Sequence, residues 1–142
     1  MVSPVQAFVD KLTTDTLNET LRWYCINELD KSIFSTNKGL ETILSPYAHH
    51  YIFEDQSFFT NIPSLATVYV LYRRAMSGKD GTISTDYELY IQEHELAPCH
   101  PIEASQESLA KLATIIKNVT PIKEEHSATF KLIKDYLEKP HD

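Results

Sequence analysis

The amino-terminal apolar residues Val5, Phe8, Val9 and Leu12 recur at i, i+3, i+4 and i+7, the spacing of one helical stripe. Ser3, Pro4 and Gln6 ahead of them form a helix start, with a capping hydroxyl, proline at the first position and a side chain able to reach back. Thr13-Thr14-Asp15 predicts an interruption, after which Leu17, Leu21, Tyr24, Cys25 and Leu29 keep helical spacing. A second amino-terminal helix is therefore expected to about Ser32, with a stop at Asn37-Lys38-Gly39. Leu40 to Leu44 adds one further turn before Ser45-Pro46 ends it.

The pattern changes period in the middle of the chain. Ala66 to Arg74 is rich in Val and Tyr, Asp86 to Glu93 alternates, and Ser77 to Thr82 between them is turn chemistry, with Asp80-Gly81 suited to a type I′ loop. These signals predict a long antiparallel hairpin with strands at about 66–76 and 83–94. In that register Tyr72 lies opposite Leu89, Val70 opposite Ile91 and Arg73 opposite Glu88. One face carries Val68, Val70, Tyr72, Tyr87, Leu89 and Ile91, the expected core. The other carries Tyr69, Leu71, Arg73, Glu88, Tyr90 and Gln92. A slide of two residues along one strand would leave every residue on its face.

Residues 47–63 are apolar without a clean period, with room for a third short strand near 51–54, and Leu96 to Pro101 reads as an irregular connector. Ser105 caps a helix striped by Leu109, Leu112, Ile115 and Ile116 and closed at Asn118. Thr120-Pro121 opens a last helix marked by Ile122, Phe130, Ile133 and Leu137, so a carboxy-terminal antiparallel helix pair is expected. The sum is an α+β, mostly helical single domain over residues 1–142.

Composition narrows the function more than the fold. Apolar residues make up 42% of the 142 and charged ones 23%, enough for a packed core. The net charge of −7 is spread along the chain, which argues against nucleic acid and anionic membrane as partners, since both reward clustered Lys and Arg. Arg73, Arg74 and Lys79 are the compact basic cluster of the central region, but alternation sends the two arginines to opposite faces. Two cysteines, an amino terminus without a basic-then-apolar leader and no long apolar run give the expectation of a soluble cytoplasmic protein.

Catalytic signatures are sparse. His94, Cys99 and His100 are zinc-ligand types with Glu93 and Glu95 alongside, but they lack the paired ligand sets of structural zinc sites, so no metal and no cofactor is expected. Adjacent His49 and His50 cannot easily face one ion. Cys25 on a helical stripe reads as an inert thiol, and no phosphate-binding or nucleophile motif occurs. The remaining candidate is the second hairpin face, with Tyr69, Leu71, Arg73, Glu88, Tyr90 and Gln92 as binding residues, since Tyr and Arg are favoured at interface hot spots. The sequence thus points to a non-enzymatic interaction module or subunit whose partner is another protein or a second copy. The competing readings are cover of that face by segment 47–63 and a terminal helix, and a small enzyme or ligand-binding domain using His49, His50, His94 or His100 in a pocket.

Overall fold

The computed structural model describes residues 3–45, 50–76 and 81–119. Helix α1 (Pro4–Leu17) starts as its residues dictate, with the Gln6 N–H donating to Ser3 Oγ at 3.1 Å and proline at the first turn. It does not break at Thr13-Thr14-Asp15. The hydroxyls of Thr13 and Thr16 donate to the carbonyls of Val9 and Leu12, four residues back, at 2.8 and 2.6 Å, which lets threonine stay in the helix. Asn18 caps the end, and Glu19 follows at φ 59.

The second amino-terminal helix does not form, and the protein is not mostly helical. In its place stand a strand, β1 (Trp23–Cys25), and two 3₁₀ turns, Ile26–Glu28 and Lys31–Ser35, the latter capped by Asp30. Strand alternation wins because it sends neighbouring aromatics to opposite sides, each with a partner. Trp23 is buried among Val9 and Leu12 and donates its indole N–H to Thr16 Oγ at 2.8 Å, while Tyr24 packs on Phe59 with ring centroids 5.6 Å apart. Helical spacing of Leu17 and Leu21 was compatible with burial, yet Leu17 is exposed.

Helix α2 (Lys38–Leu44) is followed by β2 (His50–Ile52), the expected third strand, then β3 (Phe58–Ile62), β4 (Ala66–Met76), β5 (Ile83–Gln92), β6 (His100–Ile102) and α3 (Gln106–Val119). The six strands form one antiparallel sheet in the order β1-β3-β4-β5-β6, and β2 lies beyond β3 on the same side of β4. The break between β2 and β3 is bridged: Phe53 N–H donates to the Tyr72 carbonyl at 2.9 Å, and Tyr72 N–H donates to Ser57 Oγ at 2.9 Å. His100–Ile102, expected as connector, pairs with Leu89–Ile91.

The hairpin forms with a register two residues from the expected one. Tyr72 faces Tyr87, Val70 faces Leu89 and Arg73 faces Asp86, and the ladder ends at Met76 with Ile83. A slide of two preserves the faces. Gly81 takes φ 68, a conformation that suits glycine, whereas Asp80 and the rest of the turn lie outside the described residues.

Both faces are core. α1 and α3 cover one, with Val68, Val70, Leu89, Leu109, Leu112 and Ile116 at its centre, and the Gln6 amide joins the two helix starts by donating to Ser108 Oγ at 3.2 Å. α2 and the 3₁₀ turns cover the other, where Ile26, Leu40 and Ile43 pack on Tyr69 and Leu71. Of the expected carboxy-terminal helix pair, α3 is present; the helix expected beyond Thr120 lies outside the described residues.

The Thr16–Trp23 hydrogen bond yields a direct test. Thr16→Val keeps the shape but leaves the buried indole N–H without its acceptor, so urea denaturation should show a loss of about 1–3 kcal/mol.

Candidate functional site

Alternation along β4 and β5 gathers Tyr69, Leu71, Arg73, Glu88, Tyr90 and Gln92 on one face, as the sequence requires. That face is occupied from within the chain by α2. Leu71 is fully buried, and Tyr69, Arg73 and Gln92 are 3%, 7% and 1% exposed, as deep as the helix-covered face. Glu88 and Tyr90 are only partly covered.

The contacts explain why α2 sits there. Asn37 caps α2, its Oδ1 accepting from Leu40 N–H at 3.0 Å and from Gln92 Nε2 at 2.8 Å, while its Nδ2 donates to Gln92 Oε1 at 3.2 Å. Tyr69 donates its phenol to the same Gln92 oxygen at 2.7 Å, and Gln92 Nε2 also reaches the Ala97 carbonyl at 2.8 Å. At the other end of α2, Arg73 Nη2 donates to the Ile43 carbonyl at 2.9 Å, placing a cation at a helix carboxy terminus. Arg73 Nε meets Glu88 Oε1 at 2.9 Å, and the Tyr90 phenol donates to that same oxygen at 3.0 Å. Burial pushes the Tyr69 phenol up to about 12, with Cys99 nearby adding to it. Tyr90 is also raised, first by burial and then by Glu88. The face is a seat for α2.

The other candidate chemistry is dispersed. Cys99 is half-buried and pushed up to about 11 by burial, so its thiolate is scarce at neutral pH. Cys25 lies at the end of β1 rather than on a helix, donates its thiol to the Glu54 carbonyl at 3.2 Å and is likewise raised by burial. His94 is exposed, accepts from Leu96 N–H at 3.2 Å through Nδ1 and borders an open dimple of about 470 Å³ with Leu65 and Pro63. His100 is exposed on β6. Among the described residues no three His, Cys, Asp or Glu side chains gather as a metal site, and no helix is long and apolar enough to cross a membrane. His49 and the side chain of His50 lie outside the described residues.

A second Tyr/Arg surface lies on the opposite face, at the end of the sheet where the cover from α1 and α3 runs out at Tyr87. A strand rises about 3.3 Å per residue and a helix about 1.5 Å. The 14 residues of α3 therefore span much less than the 11 of β4. The outer half of the hairpin is left with Phe53, Tyr72 and Tyr87 in a row, ring centroids 5.5 and 4.6 Å apart. Pairing puts Tyr51, Arg74 and Thr85 in the next row out. Tyr51 is 51% exposed, Tyr72, Tyr87 and Arg74 are half-buried, and the Arg74 side chain makes no ion pair or hydrogen bond among the described residues. Sequence reasoning assigned Tyr72 and Tyr87 to the core because they alternate with Val70 and Leu89. Tyr87 does pack on the α1–α3 cluster and Tyr72 packs on Tyr87, yet both are only half-buried, and the signal for that is the mismatch between helix and strand lengths.

The chain matches no family model, no curated protein and no solved structure.

Two measurements check the α2 seat. A Cβ on Gly39 would stand 2.6 Å from the Ala97 carbonyl and 2.8 Å from Gln92 Nε2, so Gly39→Ala should destabilise by about 1–3 kcal/mol in urea titrations. Cys99 is raised from its usual 9.0 to about 11, and Tyr69 from 10.0 to about 12. The folded chain keeps protons that the unfolded chain releases, so this contribution is whole below pH 9 and is lost as pH rises towards 12. The urea midpoint should fall steadily across that window, and Cys99→Ser should reduce the part that begins near pH 9, to which Cys25 also contributes.

Proposed function

We propose that this chain is a non-enzymatic protein-interaction module or subunit that meets its partner through the outer half of the β4–β5 hairpin. The observation that carries the reading is the row formed by exposed Tyr51 with half-buried Phe53, Tyr72, Arg74 and Tyr87, at the end of the sheet that α1 and α3 do not fully cover. Rigid aromatics flanked by arginine lose little side-chain entropy on binding and supply much of the energy at protein interfaces. Because the rings of Phe53, Tyr72 and Tyr87 already pack on one another in a tilted row across β4, the surface is preorganised for a partner.

Charge and thiol chemistry agree with this reading. A net charge of −7 opposes phosphate-rich partners and leaves a neutral or basic protein surface as the favoured target. Cys25 and Cys99 are both free thiols of raised pKa and offer no activated nucleophile. Tyr69, Leu71, Arg73 and Gln92 serve the interaction indirectly by seating α2 and stiffening the hairpin from behind, with Glu88 and Tyr90 at the border of that seat.

The double variant Tyr51→Ser with Arg74→Glu should leave far-ultraviolet circular dichroism unchanged and lower partner capture about tenfold or more in quantitative affinity purification. Light scattering on the same samples separates a foreign partner from a second copy. Unchanged capture and unchanged mass in the variant would contradict the reading.

A further inference from the structure

The outer edge of β5 is only partly closed. In an antiparallel ladder alternate residues of an edge strand turn both N–H and C=O outward, and pairing with β6 identifies these on β5 as Ile91 and Leu89, then Tyr87, Thr85 and Ile83. β6 takes the first two. Tyr87 is taken by a side chain: its N–H donates to Gln106 Oε1 at 2.7 Å, and Gln106 Nε2 donates to its carbonyl at 2.8 Å. The Gln106 amide thus stands where the peptide group of a neighbouring strand would stand. Thr85 and Ile83 have no second strand neighbour among the described residues, and both are exposed. Further along the strand, on the β6 side of this link, a groove of about 370 Å³ opens between Tyr87–Tyr90 and Ile102–Gln106, with Leu109 in its lining.

The flanking side chains define what fits. Ile83, Thr85 and Tyr87 point to the α3 side, whereas Ser84, Asp86 and Glu88 point to the α2 side. Asp86 and Glu103 make no ion pair among the described residues. A second copy pairing through this edge would bring up the segment Thr82 to Glu88, which carries no Lys or Arg to meet these carboxylates.

We propose that the β5 edge from Ile83 to Tyr87 accepts an extended segment of another protein in which apolar residues alternate with Lys or Arg. Main-chain hydrogen bonds to Thr85 and Ile83 supply the attachment, the basic side chains meet Asp86 and Glu103, and the apolar ones lie along Ile83 and Tyr87. The inference rests on the hairpin being the protein-binding region and adds the partner's chemistry.

A labelled peptide of about eight residues alternating Lys and Val is the probe, with a Glu–Val peptide of the same length as control, read by fluorescence polarisation and by amide hydrogen exchange. The Lys–Val peptide should bind and protect the Ile83 and Thr85 amides, and the Glu–Val peptide should not bind. Thr85→Pro removes an outward N–H without touching the β4 ladder and should weaken binding about fivefold or more. Asp86→Lys, which leaves the backbone untouched, should weaken it as well and reduce its salt dependence. Absence of binding, binding without protection of those amides, equal binding of the two peptides, or equal binding by wild type and both variants would overturn the proposal. So would a dimer that Thr85→Pro dissolves, since the occupant would then be a second copy. If Tyr51→Ser with Arg74→Glu abolishes capture of the natural partner while Thr85→Pro leaves it intact, the hairpin remains the binding region and the strand-addition mode fails. If neither affects capture, both readings fail.

Discussion

The paired amides of Asn37 and Gln92 are the constraint on which the second half of the architecture depends. Each group satisfies the other inside the protein, and Tyr69 shares the Gln92 oxygen, so three polar side chains are buried with hydrogen-bond partners. Buried amides left alone would cost more than the contact returns, and this makes the arrangement selective: α2 fits where its cap residue can meet Gln92. Arg73 fixes the other end of the helix through the Ile43 carbonyl. Apolar contact of Leu40 and Ile43 with Tyr69 and Leu71 then fills the space between two polar anchors, and a short helix acquires one position on the sheet.

The local patterns that survive in the structure are those whose period is long and whose partner is close in sequence. The hairpin, the start of α1 and the whole of α3 are legible from alternation, capping and stripe. The faces of β4 and β5 are legible too, because a register error of two residues cannot move a side chain across the sheet. What escaped is what distant residues decide. Trp23 belongs to a strand because Thr16 and the Phe58–Ile62 segment receive it, and nothing in Leu17, Leu21 and Tyr24 announces that competition. Likewise, Tyr69 and Arg73 have the composition of an interface, and the interface exists; its second surface is residues 26–45 of the same chain.

The candidate site follows from the same geometry. Alternation cannot distinguish a strand residue under a helix from one beyond the helix end, so Tyr72 and Val70 look alike in sequence although one is half-buried and the other sealed. The difference arises from length alone. A sheet with two long central strands and compact helices seals its core at one end and leaves half-buried aromatic rings at the other, so scaffold and proposed contact surface are parts of the same two strands.

The Asn37–Gln92 pair also bears on how the molecule assembles. The two residues are 55 positions apart, whereas the hairpin closes between neighbouring segments. Chain entropy makes the hairpin closure cheap and the 55-residue closure costly, so the second face of the sheet is sealed by an interaction that no local stretch of sequence contains.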